Sequence, residues 1–291
     1  MQPPYPVIDA HIHVQPWEML RPEALVAFQR GHELDRLREI MKHPDALIRY
    51  MDAHQIEQVA IINYVAPEVM GFREPDVNLF AARYARAYPA RIIPFGGIDP
   101  RNTVDLEQRL DDLIGLGIRG IKIHPPHQLF AANAYRDGGT VEGLALVYEK
   151  AAAAGLPVMI HTGTSVFPGA RNKYADPMAI DDVAIDFPTL QIILAHGGRP
   201  IWMDTAYFLL RRHRNVWLDV SSIPPQRLLD YFPWLERVAD KAIFGSDWPG
   251  PGVPSIAENV AACYALPLSE EVKRKLLREN ARRLFERSPR V

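Results

Sequence analysis

Eight short apolar runs, rich in valine and isoleucine and separated by helical segments, limit the fold of this chain more than any other feature. Several runs lack strict alternation of apolar and polar residues, which is typical of strands that are buried on both faces. Strands that alternate with helices predict parallel pairing through right-handed crossovers. Eight such units in 291 residues favour an α/β fold, a (β/α)8 TIM barrel, over an open doubly wound sheet, which stays the alternative because a sequence does not show closure. The predicted strands are residues 7–14, 58–65, 91–98, 118–124, 157–162, 191–196, 216–220 and 242–247.

We expect the 291 residues to form a single domain with a helical insertion at residues 15–43, directly after the first strand. Within this insertion, apolar periodicity predicts helices at residues 22–28 and 33–41. Because the insertion follows the carboxyl end of a strand, we expect it to lie over the mouth of the barrel, as a lid would. At the other end of the chain, Ser269 and the acidic residues after it predict the start of the final helix.

The composition fits a globular cytoplasmic protein. The formal net charge is −2 with acidic and basic residues interspersed, so neither a nucleic-acid-binding surface nor a membrane-binding surface is expected. Cys263 is the one cysteine, which excludes an intrachain disulfide and favours a reducing compartment. The start, Met1 to Pro6, lacks the basic and apolar pattern of a signal peptide. No apolar run reaches the roughly 18 residues that a membrane helix needs.

The first strand carries a His-x-His motif that is suited to binding a metal. Side chains alternate between the two faces of a strand, so Asp9, His11 and His13 share one face. Two imidazoles at this spacing can reach a common metal ion, since a neutral imidazole nitrogen is a good ligand for zinc. Taken alone, the motif fits equally well a half-buried strand whose histidines bond to nearby backbone.

Histidines at the ends of other strands support the prediction of a metal site. Strands four, five and six end in His124, His161 and His196, and strand eight ends in Asp247. In a (β/α)8 barrel the carboxyl ends of the strands meet on one face, which is where active sites lie. Packing explains one such histidine but not the whole set, so a joint metal site is predicted. Asp219, at the end of strand seven, is expected to cap the next helix rather than to contact the pocket.

At these positions the sequence resembles the amidohydrolase superfamily, and more narrowly its amidohydrolase 2 branch. That branch contains hydrolases, lactonases and aromatic-acid decarboxylases. The resemblance extends from strand one to strand eight, and the first and last motifs together make it specific. The motifs that carry it are Asp9-x-His11-x-His13, Lys122-x-His124-Pro125, Ile160-His161-Thr162-Gly163, Ala195-His196-Gly197-Gly198 and Phe244-Gly245-Ser246-Asp247-Trp248-Pro249.

The resemblance implies one divalent metal ion, most often zinc and sometimes manganese, held by His11, His13, His161 and Asp247. Three imidazoles and one carboxylate leave a positive centre that lowers the pKa of bound water toward about 7. By the same resemblance, His196 interacts with that water or with the substrate and transfers protons. Asp247 is expected to accept a proton as well as to bind the metal. Its alternative role is a helix N-cap, and the alternative for His196 is a turn.

Further residues are expected to complete the site. Lys122 binds a substrate carboxylate, forms a buried ion pair or, as in binuclear relatives, is carboxylated and bridges two metals. His124 and Trp248 are expected to line the pocket, although a tryptophan is more often buried structure. Arg199 is expected to bind an acidic substrate. Asp9 is expected to fix the tautomer of a metal-binding histidine, and its alternative is a hydrogen bond to backbone.

The leading functional hypothesis is metal-dependent hydrolysis of an ester, lactone or amide-like bond of a small molecule, by attack of a metal-bound water. The alternative is non-oxidative decarboxylation of an aromatic or unsaturated acid, which a carboxylate-binding pair of Arg199 and Lys122 would favour. A third hypothesis is a barrel that has lost catalysis and only binds a ligand. The branch also contains a metal-free lactonase, and relatives are often dimers, so the resemblance implies a homodimer.

Overall fold

Eight parallel strands pair in chain order and form a closed barrel. The computed structural model describes residues 2–29, 33–136, 138–253 and 255–286. The last strand returns to the first, since the Ala10 N–H donates to the Phe244 carbonyl at 2.9 Å and the Asp247 N–H donates to the His11 carbonyl at 2.8 Å. The predicted (β/α)8 barrel is therefore confirmed. The strands are β1 Val7–Ile12, β2 Ile56–Ile62, β3 Ile92–Gly96, β4 Gly120–Ile123, β5 Val158–His161, β6 Ile192–Ala195, β7 Val216–Asp219 and β8 Ala242–Ile243.

Helices follow the strands and pack around the barrel. The α-helices are α1 Pro22–Gln29, α2 Leu34–Lys42, α3 Pro44–Ala53, α4 Asp76–Arg86, α5 Leu106–Gly115, α6 Pro125–Gln128, α7 Gly143–Ala153, α8 Ala179–Asp186, α9 Met203–Arg212, α10 Leu228–Tyr231, α11 Ile256–Tyr264, α12 Glu270–Arg274 and α13 Asn280–Glu286. A π-helical turn, Lys275–Glu279, joins the last two. Shorter 3-10 helices are Trp17–Met19, Asn172–Tyr174, His196–Gly198, Pro225–Arg227 and Leu235–Lys241.

Two of these helices were predicted from the periodicity of the insertion. α1 and α2 match residues 22–28 and 33–41 closely, while residues 30–32 between them lie outside the described residues. The predicted start of the final helix is also confirmed, because the Ser269 hydroxyl accepts from the Val272 N–H at 3.3 Å. Within the described part of the chain, every helix falls short of the length and apolarity that a bilayer crossing requires.

The strands end earlier at their carboxyl ends than the sequence predicts. β1 stops at Ile12 rather than at residue 14, and β8 stops at Ile243 rather than at residue 247. Beyond the ends of β6 and β8, the backbone of His196 and Asp247 has positive φ angles of 69° and 67°. A regular strand does not allow such angles. The chain therefore leaves the sheet at the residues that surround the mouth of the barrel.

Apolar and polar residues occupy different parts of the barrel interior. Ile8, Ile93 and Met159 belong to an apolar cluster that packs against Leu284 and Phe285 of the last helix. Fully buried aliphatic side chains of this kind supply the hydrophobic stabilisation of the fold. Buried charged and imidazole side chains collect instead at the carboxyl ends of the strands, and they include Asp9, His11, Lys122, His161, His196, Asp219 and Asp247.

Candidate functional site

A cavity at the carboxyl ends of the strands contains most of the predicted site residues. Its volume is about 320 Å³. Its walls come from β1, β4 and β5, from the segments that follow every strand except β3, and from the insertion. A larger cavity of about 640 Å³ lies near the amino ends of β2 and β3, and none of the predicted site residues lines it. The predicted residues that line the first cavity are His11, His13, Lys122, His124, His161, His196, Arg199 and Asp247.

Donor atoms of His11, His13 and Asp247 converge within this cavity, all within 4.8 Å of one another. Oδ1 of Asp247 lies 2.9 Å from Nε2 of His13 and 3.4 Å from Nε2 of His11. His11 is fully buried, and its Nε2 has no hydrogen-bond partner among the described residues. A buried nitrogen without a partner is costly, so this donor set fits a bound divalent cation. Two imidazoles and a carboxylate suit zinc or manganese.

Asp219 fixes the protonation of His11. Its Oδ2 lies 2.6 Å from Nδ1 of His11, and because the carboxylate accepts, Nδ1 carries the proton and Nε2 keeps a lone pair. The Ser221 hydroxyl donates to the same oxygen at 2.8 Å, and the Ser221 N–H donates to Oδ1 at 2.9 Å. The prediction that Asp219 caps the next helix is therefore wrong, since a turn follows it and its carboxylate serves the site.

Asp9 hydrogen-bonds to backbone, which was the alternative role predicted for it. Its Oδ1 accepts from the backbone N–H groups of His11 and Ser246, each at 3.0 Å, and so ties β1 to the segment after β8. Burial raises the pKa of its carboxyl to about 7. The geometry corrects the prediction that Asp9 fixes the tautomer of a metal-binding histidine, because the ring nitrogen concerned is bonded to Asp219.

His196 presents an unprotonated nitrogen beside the three donors. Its Nδ1 lies 3.1 Å from the Ser221 carbonyl oxygen, which can only accept, so Nδ1 carries the proton and Nε2 does not. Burial lowers the pKa of this imidazole well below its ordinary value, which keeps the ring neutral. Gly197 makes the adjoining turn with a φ of 54°, and a Cβ there would lie 2.6 Å from Leu218. A side chain at position 197 would therefore collide with its neighbours.

His161 belongs to a stack of imidazole rings along one wall. Its ring centroid lies 3.9 Å from that of His124, which in turn lies 3.5 Å from that of His127. Nε2 of His161 lies 3.1 Å from the Gly163 carbonyl oxygen and donates to it, so Nδ1 keeps the lone pair. His161 lies in the cavity but outside the group of three converging donors. Its assignment as a fourth ligand stays a prediction.

Two cationic side chains reach the cavity without a carboxylate partner in the described residues. Lys122 is 1% exposed, and its Nζ has no hydrogen-bond partner there. Burial lowers the pKa of this ammonium to about 8, against the opposing effect of nearby carboxylates. Arg199 donates to the carbonyls of Thr164 at 2.8 Å and Ser222 at 3.1 Å and to the Ser222 hydroxyl at 2.6 Å. Both cations are therefore available to an anionic ligand.

The aromatic wall differs from the prediction. Trp248 is not among the residues that line the cavity, and its ring lies nearly parallel to that of Tyr50, with centroids 6.4 Å apart. The geometry therefore gives it a packing role rather than the predicted contact with substrate. Phe28 of the insertion lines the cavity instead, with its ring 6.0 Å from that of His13 and 5.5 Å from that of Phe167. The insertion reaches the mouth of the barrel, as expected.

Sequence reasoning did not single out three further residues of the cavity: Tyr64, His127 and Ser165. Tyr64 lies two residues beyond the end of β2, and His127 lies in the short helix α6, which begins with two prolines after His124. Each follows a strand end closely, as the predicted histidines do, and this position is the signal that would have found them. Asp219 carried the same signal at the end of β7.

Comparison with known families identifies the family of this chain. The family model of the amidohydrolases matches residues 8–287, nearly the whole chain. The chain therefore belongs to the amidohydrolase family. The match contains β1 from Ile8 onward, the other seven strands and every residue that lines the candidate site. A search of the curated proteins finds no match.

Solved structures with this fold include enzymes of two reaction classes. An uncharacterised TIM-barrel protein from Bordetella bronchiseptica is 22% identical over 97% of this chain and 99% of its own, with a TM-score of 0.73. A 5-carboxyvanillate decarboxylase from Novosphingobium aromaticivorans, complexed with manganese and 4-hydroxy-3-methoxy-5-nitrobenzoic acid, is 17% identical over 97% and 96%, with a TM-score of 0.64. A probable 2-pyrone-4,6-dicarboxylic acid hydrolase from Acinetobacter baumannii, with citric acid bound, is 17% identical over 96% and 99%, with a TM-score of 0.63. At such identities the likeness concerns the fold alone.

Proposed function

We propose that this protein is a metal-dependent hydrolase that cleaves an ester, lactone or amide-like bond of a small anionic molecule. The observation that carries the proposal is the convergence of His11, His13 and Asp247 donors within 4.8 Å in one cavity, beside an unprotonated nitrogen of His196. Metal ligands and a proton acceptor are the parts that hydrolysis by an activated water requires.

The residues of the site divide into ligands and proton carriers. His11, His13, His161 and Asp247 would hold one divalent ion, zinc or manganese. When bound, such an ion supplies Lewis acidity and makes water a nucleophile near neutral pH. His196 accepts a proton at Nε2 and returns it to the leaving group, because its Nδ1 is already bonded to the Ser221 carbonyl.

The substrate is proposed to carry a carboxylate. Lys122 and Arg199 place positive charge on the cavity without a carboxylate partner among the described residues. His124, directly before α6, also lines the cavity. Phe28 and Tyr64 supply apolar surface. A cavity of about 320 Å³ accommodates a molecule of one ring or a short chain, near the lower end of ligand sites in proteins.

Non-oxidative decarboxylation of an aromatic or unsaturated acid is the second candidate. The observation that favours it is that Arg199 and Lys122 line the same cavity, where they would hold the carboxylate that leaves or its neighbour. The 5-carboxyvanillate decarboxylase has the same fold. In this reaction His196 or Asp247 would deliver a proton to carbon rather than accept one from water.

Metal analysis and a substrate screen test the proposal. Protein purified without added metal is expected to contain about one zinc or manganese per chain. His11→Ala is expected to lose the metal, while His54→Ala, away from the cavity, is expected to keep it.

The purified protein is then assayed on lactones, anilides and hydroxybenzoates. Turnover of a lactone or anilide supports hydrolysis, and carbon dioxide release from a hydroxybenzoate supports the second candidate. Full activity of Asp247→Asn would contradict the assigned roles.

A further inference from the structure

Three polar side chains of the cavity form a hydrogen-bonded chain separate from the proposed metal ligands. The Tyr64 hydroxyl lies 2.9 Å from Nδ1 of His127, and Nε2 of the same ring lies 2.7 Å from the Ser165 hydroxyl oxygen. Tyr64 is 3% exposed and His127 is 1% exposed, whereas Ser165 is half-buried and lines the cavity. All three side chains line the cavity, and the chain ends at Ser165, the most exposed of them.

Burial fixes the direction in which protons are donated along this chain. The Tyr64 hydroxyl carries a proton, since burial raises the pKa of the phenol, and His127 is its one hydrogen-bond partner among the described residues. A buried hydroxyl proton needs an acceptor, so Tyr64 donates to Nδ1 of His127. A neutral imidazole that accepts at Nδ1 carries its proton at Nε2. His127 therefore donates to the Ser165 oxygen.

The Ser165 oxygen receives a second donor from its own loop. The Phe167 N–H donates to it at 3.3 Å, in addition to Nε2–H of His127 at 2.7 Å. A serine hydroxyl has two acceptor lone pairs and one proton, so both lone pairs are occupied. What Ser165 has left is the O–H itself, which finds no acceptor within the described residues.

We propose that Ser165 is a substrate-binding residue whose hydroxyl donates to an anionic oxygen of the ligand, and that Tyr64 and His127 are positioning residues that impose this direction. Arg199 supplies the charge for the same ligand group, because its guanidinium is bonded to the carbonyl of Thr164, the residue next to Ser165. A hydroxyl donor beside a guanidinium recognises a carboxylate oxygen. The inference rests on the proposed function for the existence of an anionic substrate, but not for the direction of the hydrogen bonds.

The direction is tested by the tautomer of His127 in zinc-loaded protein with ¹⁵N-labelled histidine. The His127 signals, identified by their loss in His127→Asn, are expected to show a protonated Nε2 and an unprotonated Nδ1. In Tyr64→Phe this pattern is expected to change, because Nδ1 no longer receives a donor. A proton on Nδ1 in the wild-type protein would overturn the proposal, since Nε2 would then accept from Ser165 and make it a nucleophile. This measurement involves no turnover, so it stands whatever the substrate screen finds.

Binding of benzoate, followed on the His127 signals, tests the donor role of Ser165. We expect Ser165→Ala to weaken binding roughly 10-fold or more, the ordinary effect of losing a hydrogen bond to a charged group, and Ser165→Thr to restore it. Tyr64→Phe is expected to weaken binding to a smaller extent. Tyr148→Phe is the matched control, because this buried phenol donates to the Ala132 carbonyl at 2.8 Å and does not line the cavity. Equal binding by wild type and Ser165→Ala, or no response of the wild type to benzoate, would overturn the proposal.

Discussion

Replacement of Lys122 by methionine is expected to stabilise the fold. The lysine is 1% exposed, and its Nζ has no hydrogen-bond partner in the described part of the chain. Methionine has a similar length and buries no charge. Folding the wild-type chain must transfer an ammonium group from water into the barrel, whereas folding Lys122→Met transfers a thioether.

The size of the effect follows from the pKa of the lysine. Burial lowers that pKa from 10.5 to about 8. Each unit of pKa corresponds to about 1.4 kcal/mol, so the charged form opposes folding by about 3 kcal/mol. Because the folded pKa is the lower one, the unfolded chain binds the proton more tightly. The cost is therefore complete below about pH 8 and fades as the pH rises toward 10.5.

Denaturant unfolding of metal-free protein at pH 7 and pH 10 measures this difference. We expect Lys122→Met to be more stable than the wild type by about 3 kcal/mol at pH 7 and by about 1 kcal/mol at pH 10. Lys173→Met is the control, since this lysine is exposed in the short 3-10 helix Asn172–Tyr174 and its replacement is expected to leave the pH dependence of stability unchanged. A difference between Lys122→Met and wild type that stays constant with pH, or a less stable variant at pH 7, would refute the reasoning.

Three further predictions concern the site itself. Asp219→Asn is expected to weaken metal binding roughly 10- to 100-fold, because the Asp219 carboxylate holds Nδ1 of His11 at 2.6 Å. Competition with a chelator measures the metal affinity, and an unchanged affinity would contradict this role of Asp219. His196→Asn is expected to keep the metal but to lose roughly 100-fold or more in kcat, as shown by metal content and turnover together. Phe28→Ala is expected to raise KM with metal content unchanged, because the ring lines the cavity beside His13 without offering a metal donor.

The fold was predictable because its signals are local. A short apolar run predicts each strand. The alternation of strands with helices restricts the sheet to a few parallel topologies. The convergence of His11, His13 and Asp247 was predictable for a related reason. In a closed barrel, side chains at the carboxyl ends of the strands meet whatever their separation along the chain. That rule alone predicts that the motifs on β1 and after β8 lie close together.

The partners of these residues were not predictable, because they depend on the conformation of loops. Asp9 lies two residues from His11 and was predicted to hold the ring of a metal-binding histidine. Instead Asp219, 208 residues away from His11 along the chain, bonds to Nδ1. Asp9 instead accepts hydrogen bonds from two backbone N–H groups where β1 adjoins the segment after β8. The contact of His127 with Tyr64 likewise depends on the turn that α6 makes after His124.

The distribution of buried polar groups argues that the mouth of the barrel is built for a ligand rather than for stability. At the opposite end the interior is closed by apolar contacts such as that between Phe95 and Phe285. At the mouth, the described residues leave Nζ of Lys122 and Nε2 of His11 buried without hydrogen-bond partners, and each opposes folding. An apolar pair there would stabilise the barrel more. These costs are offset once a cation binds at His11 and an anion binds at Lys122, so stability is expected to rise on binding of both.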